Sequence, residues 1–218
     1  MTDLSFHPKM LASALENAVI FSTDKAGLSV NDTIRISFDE QGLRFMGRGR
    51  YSCSCQSLEP LNEVDEYPTF ELFLGLDEAG NAAKVLRGMD GAGRKDTTVD
   101  LAVLEGGMVA VLAGPEAVVT FENVEHADEL RSTEEFEGVY EVIEKALALP
   151  PQETPPTTPI VWTRGVVRKL DKVKLGSPAH ESDRWAVHWL GGASWAVTTE
   201  AEGTMFTALL ESARDGLE

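Results

Sequence analysis

The first 125 residues alternate between two hydrophobic periods, and the order of that alternation restricts what they can fold into. Residues 8–20 place Leu11, Leu15 and Ala18 at i, i+4 and i+7, with Pro8 suited to a first helical turn and Lys9, Ser13, Glu16 and Asn17 on the opposite side. This spacing predicts an amphipathic helix. The period then drops to two. Residues 33–38 alternate Ile34, Ile36 and Phe38, residues 42–47 and 51–58 follow, and residues 69–74 set Phe70, Leu72 and Leu74 against Glu71 and Phe73. The turn Asp39-Glu40-Gln41-Gly42 predicts a hairpin between the first two of these strands.

A helical period returns over residues 76–89, with Ala82, Val85, Leu86 and Met89 on one side and Asn81, Lys84 and Arg87 elsewhere on the wheel. Gly80 costs this helix about 1 kcal/mol relative to alanine, and the glycine-rich stretch 88–93 ends it. Three further strands are predicted at 97–104, 108–112 and 117–121, joined by glycine-bearing turns at 105–107 and 114–116. Helix, four strands, helix, three strands describes an α+β domain over residues 1–122.

The second half departs from this order. An acidic connector is expected at 123–133, followed by a shortened domain over 134–218. Residues 134–148 predict a helix with Phe136, Val139, Tyr140 and Ile143 inward. The stretch 150–159 holds five prolines in ten residues, which excludes helix and central strand alike, and leaves 159–163 as the one strand candidate before the next helix. That helix is predicted at 163–174, with strands at 184–190, 194–199 and 204–210 after it.

Composition narrows the function. With 218 residues, 43% of them hydrophobic, the chain can bury a sizeable core. It contains no run of 18 apolar residues, and its start lacks the basic and apolar stretches of a secretory signal, so neither a membrane nor export is expected. Cys53 and Cys55 point to one face of a strand, too close along the chain for an easy disulfide, which fits a reducing, cytoplasmic setting. No second cysteine pair follows, and His7, His126, His180 and His188 are scattered, so no metal or other cofactor is expected. Gly47-Arg48-Gly49 lacks the third glycine and the helix start of a phosphate cradle. With no recognisable acid/base pair, HExxH or GxSxG either, an enzyme is not expected.

The net charge of −17 would repel nucleic acid if it were spread evenly. It is not. Acidic residues crowd 122–144, whereas a compact basic group occupies 164–174. On a helical wheel Val166, Leu170 and Val173 form a core stripe, while Arg164, Arg168 and Lys172 recur every four residues on the other side, with Lys169 at the flank. Such a face suits phosphate contacts that read no bases; ordinary solvated surface is the competing explanation.

The element order, the Leu-x-x-x-Leu of the first helix, the hairpin TIRISFDEQGLRFMG and the short strand entering the second helix together resemble a domain of the DNA sliding clamps. That family includes the bacterial polymerase III beta clamp, proliferating cell nuclear antigen and the T-even phage clamp. The resemblance implies helices packed on curved antiparallel sheets, with the helices lining a hole that takes duplex DNA. It implies a non-enzymatic processivity factor whose partners are double-stranded DNA, a DNA polymerase and a clamp loader. Two domains per chain would need three chains for the family's six-domain ring, hence a homotrimer. Lys9, Lys84 and Arg87 would then extend the lining begun by Arg164, Arg168, Lys169 and Lys172. Arg44, Arg48 and Arg50 form a second cluster, touching DNA at the ring's edge or salt-bridged within a strand. Partners of clamps dock apolar motifs near a domain junction; Trp162, Trp185, Trp189 and Trp195 either line such a pocket or pack in the core. The trimmed second domain points towards a phage and opens an alternative, a clamp-derived adaptor or inhibitor that closes no ring. A hydrolase on an unrelated α+β fold is a third possibility, and it would need a pocket with two perturbed carboxylates.

Overall fold

A computed structural model describes residues 3–22, 33–39, 42–49, 52–63, 69–90, 97–103, 109–113, 117–124, 148, 161–176 and 185–211. The expected helix at 134–148 (save 148), the proline-rich stretch, most of the acidic connector, and Arg50, His126 and His180 lie outside the described residues.

In chain order the elements are β1 (Asp3–Phe6), α1 (Pro8–Ser22), β2 (Thr33–Asp39), β3 (Gly42–Arg48), β4 (Ser52–Leu58), β5 (Phe70–Gly75), α2 (Leu76–Asp90), β6 (Val99–Val103), β7 (Val109–Ala113), β8 (Ala117–Phe121), α3 (Arg164–Leu170), β9 (Ala186–Gly191), β10 (Ser194–Ala201) and β11 (Thr204–Glu211). They form two antiparallel sheets. One has the order β1-β6-β7-β8, and the other runs β5-β2-β3-β4-β11-β10-β9. The larger sheet therefore crosses from the first half of the chain to the second at a single seam, where β4 pairs with β11 from Leu58↔Thr204 to Ser52↔Leu210.

Alternation along the strands decides which face is core. Ile34, Ile36 and Phe38 of β2, Leu43 and Phe45 of β3, and Leu72 and Leu74 of β5 join Leu11, Leu15 and Ala18 of α1 and Ala82 and Leu86 of α2 in one apolar cluster. A second cluster sits across the seam, where Phe21 of α1 meets Val166 of α3, Leu175, Val197, Phe206, Ala208 and Leu210. The Phe21 and Phe206 rings lie 5.6 Å apart and tilted, within the range that favours aromatic pairs. Helix α1 thus serves both clusters. Its backbone presses on β3 so closely that a Cβ at Gly47 would lie 2.0 Å from the Ala18 carbonyl oxygen.

Five features depart from the sequence expectations. Strand β1 is formed by pairing with β6, Leu4 opposite Leu101, and a four-residue segment shows no period of its own. Val85 is 46% exposed rather than inward, because the buried arc of α2 runs through Ala79, Ala83 and Leu86 and Val85 falls beyond its edge. Ser13 and Asn17 are buried rather than solvated, because residues 173–176 pack against that side of α1. Helix α3 ends at Leu170, and Asp171 and Lys172 form a turn, so Lys172 stands beyond the helix rather than on its third turn. Residues 161–163 carry no strand.

Candidate nucleic-acid interface

Helix α3 is set by three local interactions. Thr163 caps it, its hydroxyl accepting from the Val166 N–H at 3.3 Å. Val166 is buried in the second apolar cluster, and Leu170 and Val173 pack against it, which fixes the helix's rotation. Arg164 and Arg168 are consequently exposed on its outer side, and Lys172 is exposed on the turn that follows.

Lys169 does something else. Its Nζ lies 3.4 Å from the Phe21 carbonyl oxygen, 3.5 Å from Ser52 Oγ and 5.7 Å from the centre of the Phe21 ring. Helix α1 has no basic residue in its own last turn, so Lys169 supplies the cation that its C-terminal dipole favours. Its ammonium is turned into the seam between the halves.

Residues 173–176 then return along α1. The Asn17 amide donates 2.7 Å bonds to Gln56 Oε1 and to the Lys174 carbonyl, and Asn17 Oδ1 accepts from the Lys174 N–H at 3.3 Å. Gln56 in turn donates to Thr204 Oγ1 at 3.0 Å, and Thr204 donates to the Ser57 carbonyl at 2.9 Å. Gly176, at φ 71°, sits where a Cβ would come within 2.4 Å of the Lys9 carbonyl oxygen. This buried polar chain joins α1, β4, β11 and the segment after α3. It brings the exposed Lys174 and Lys172 alongside the helix that begins with the exposed Lys9. Lys174 was not among the sequence candidates; it follows the end of the helical stripe, and only the return along α1 places it.

The two cations of α2 are placed differently. Lys84 is exposed, 3.5 Å from Asn81 Oδ1. Arg87 bonds both carboxylate oxygens of Glu16 on α1, with Nε 2.6 Å from Oε1 and a second bond from the terminal nitrogen to Oε2. The bidentate pair staples α2 to α1 and spends the Arg87 charge locally. Among the described residues, Arg164, Arg168, Lys172, Lys174 and Lys9 are exposed cations on or beside α1 and α3, with Asp171 inside the group, and Lys84 is exposed on α2.

The other basic cluster faces away. Arg44 lies on β3 between Leu43 and Phe45, both of which point to the helices, so its side chain stands on the opposite face, where it pairs with Asp39. Arg35 pairs with Glu71 on the same face. Cys53 and Cys55 are free thiols there, and burial pushes the Cys53 thiol up to about 12, far from a reactive thiolate. Among the described residues no group of histidine, cysteine and acidic side chains is placed to hold a metal. The Glu78 carboxyl on α2 is raised above its ordinary value, chiefly by burial and in smaller part by the Glu122 charge, against a hydrogen bond with the Glu122 backbone that lowers it. Among the tryptophans, Trp195 is buried and Trp162 packs on the second cluster, Trp189 is half-buried with its indole N–H 3.2 Å from the Gly192 carbonyl oxygen, and Trp185 is partly exposed, edge-on to Phe206 at 6.0 Å. No helix of the described residues is long and apolar enough to cross a membrane.

No family model matches the sequence, and no curated protein does. Solved structures do match. Proliferating cell nuclear antigen (PCNA) of A. fulgidus, solved with the C-terminal region of FEN-1, superposes with a TM-score of 0.59 at 12% identity, over 99% of this chain and all of that one. The DNA polymerase III beta subunit of Thermotoga maritima gives 0.63 at 8% identity, over 100% of this chain and 66% of that one. A putative beta subunit from Eubacterium rectale gives 0.62 at 10%, over 98% and 65%. The chain has the α+β sliding-clamp fold, spanning the length of the archaeal clamp subunit and just under two thirds of the bacterial ones.

Proposed function

We propose that the chain is one subunit of a DNA sliding clamp, a non-enzymatic protein that closes into a ring with its copies around duplex DNA and tethers replication proteins to it. The observation that carries this reading is the conjunction of the clamp fold with an exposed cationic group on the helix side, Arg164, Arg168, Lys172, Lys174 and Lys9. Lys84 extends that group, and Arg87 and Lys169 support it from within the helix packing.

The chain as two clamp-like units, 1–122 and 134–218 joined by the acidic connector, makes three copies the number that completes six units. Three copies carry −51, three times the −17 of one chain, so DNA is admitted only where positive side chains face a confined channel and focus the field there. Contacts of arginine and lysine with phosphates read no sequence and allow sliding. Processivity then follows from topology, because a polymerase held on the ring keeps a high effective concentration at the primer end. A clamp loader opens the ring, and the setting is the cytoplasm, that of a host if the source is a phage. The archaeal neighbour solved with a piece of FEN-1 supports partner capture by a short terminal segment.

A second reading, a clamp-derived adaptor that closes no ring, is favoured by one observation. The stretch 150–159 holds five prolines in ten residues, which excludes helix and central strand alike where a full clamp domain would place strands. Light scattering after size exclusion across a concentration series separates the two. A discrete species of three times 23.7 kDa supports the ring, and a single-chain mass at micromolar concentration supports the adaptor.

A further inference from the structure

Trp195 is buried and Trp162 packs on the second apolar cluster, but Trp185 and Trp189 stand at the outer end of the seven-stranded sheet and are only partly covered. Register fixes the face they occupy. Val187 lies opposite Val197 and Trp189 opposite Trp195, and Val197 belongs to the cluster that Phe21 of α1 and Val166 of α3 enter. Val187 and Trp189 therefore project to the helix side. Trp185, two residues before Val187, reaches the same side, where its ring meets Phe206 at 6.0 Å and 89°. The three side chains form an apolar stripe of about 13 Å along one face of an edge strand. Trp185 is 37% and Val187 45% exposed, and a perpendicular contact with Phe206 occupies at most one face of the indole.

Cations stand on the same side. On α3, residues 164, 167, 168 and 171 share one exposed stripe, so Val167, 49% exposed, lies between Arg164 and Arg168. Three successive contacts connect this helix to the indole. Lys169 Nζ lies 5.7 Å from the centre of the Phe21 ring, Phe21 is 5.6 Å from Phe206, and Phe206 is 6.0 Å from Trp185. A single nucleic-acid strand occupies sites of about 4–16 nucleotides, long enough to cover both the helix and the stripe.

We propose that Trp185, Val187 and Trp189 stack unpaired bases while Arg164 and Arg168 hold phosphates of the same strand, a site for single-stranded nucleic acid. The occupant follows from the two chemistries side by side. An apolar peptide would cover the valines and leave the arginines idle. A duplex would meet the arginines and leave the indole idle, because its bases are already stacked on one another. An unpaired strand uses both, since every base has a π face to offer and its phosphates are held without reading sequence. Arg164 and Arg168 are common to this site and to the duplex reading, so the proposal rests on that reading for its phosphate contacts and goes beyond it in the stacking.

The test is fluorescence anisotropy with three labelled probes: a short oligo-dT, the same strand with its bases removed, and a blunt duplex. Trp185→Leu keeps an apolar side chain without the indole, and Trp185→Phe restores a ring. Trp185→Leu is expected to weaken oligo-dT binding about tenfold and to leave duplex binding unchanged, with Trp185→Phe recovering most of the loss. The abasic strand is expected to bind wild type and Trp185→Leu alike, and Arg168→Glu to weaken oligo-dT and duplex together. Wild type that binds the abasic strand as tightly as oligo-dT overturns the stacking whatever the variants do. Oligo-dT binding unchanged in Trp185→Leu also overturns it and, with duplex binding intact, leaves the ring reading standing. An equal loss for oligo-dT and duplex in Trp185→Leu reports a structural effect on α3 and overturns the stacking as well. Wild type that binds neither strand nor duplex removes both readings. A lower mass by light scattering in Trp185→Leu, with oligo-dT binding unchanged, assigns the stripe to a second copy instead.

Discussion

Replacing Asn17 by alanine should uncouple the two halves of the molecule. The side chain is 1% exposed and makes three bonds, two of them at 2.7 Å, to Gln56 and to both backbone groups of Lys174. Truncation removes all three. Residue 174 is exposed, so water can satisfy its backbone groups, and their loss costs little more than the net value of a hydrogen bond, about 1 kcal/mol each. Gln56 is 1% exposed, and its Oε1 is left without the Asn17 donor, which adds about 1–3 kcal/mol. The expected loss is about 3–5 kcal/mol, or a fall in Tm of about 6–20 °C for a chain of this length. All four tryptophans lie in the second half, so their fluorescence reports that half while far-ultraviolet circular dichroism reports both. In urea the wild-type transitions should coincide, whereas in Asn17→Ala the fluorescence transition should move to lower urea ahead of the dichroism. Asn81→Ala, an exposed site, is the control and should shift stability by less than about 0.5 kcal/mol. An Asn17→Ala protein indistinguishable from that control would refute the claim that the buried polar chain joins the halves.

Gly47→Ala should be more damaging than any surface change, about 3 kcal/mol, because the new Cβ meets the α1 backbone at 2.0 Å and neither partner is a flexible side-chain end; a thermal melt checks it. Arg168→Glu should leave the melt unchanged but weaken DNA binding and flatten its dependence on salt by about one unit of log–log slope, read by anisotropy across a salt series. Arg87→Gln should weaken binding less than Arg168→Gln, since Arg87 is already engaged by Glu16. The Cys53 thiol, raised from 9.0 to about 12, is protonated in the folded chain while an unfolded one ionises near 9. Stability from this group is thus complete below pH 9 and lost as pH rises towards 12. Alkylation of Cys53 at pH 8 should be slow in the native protein and fast in urea, followed by mass spectrometry.

Much of the first half was legible because its information is local. The β2–β3 hairpin follows from a period of two on either side of Asp39 and Gly42, and its register, Asp39 opposite Gly42, is the one the turn imposes. The clamp-like order of elements follows in the same way. What escaped was set at a distance. Asn17 and Ser13 look solvent-facing on a wheel that cannot include a segment 157 residues away, and Val85 looks inward until the small Ala79 and Ala83 are seen to do the packing. The seam of β4 with β11 has no signature in either strand, since SCSCQSL owes its burial to the neighbours it acquires.

The basic group was partly legible for the same reason. Arg164 and Arg168 are exposed as their spacing from Val166 requires. Lys169 lies near the edge of the wheel, and only the C-terminus of α1, brought close by tertiary packing, turns it inward. Lys172 lost its helix because Asp171 starts a turn, and Lys174 gained a place through its bonds to Asn17.

Encirclement is tested most directly by topology. Protein is incubated with a nicked circular duplex, washed at high salt to strip simple phosphate contacts, and the circle is then cut once. A ring predicts protein that survives the wash on the circle and is released when the cut creates ends. A circle that keeps no more protein than its linear form would contradict the account, whatever the affinity of the basic group for DNA.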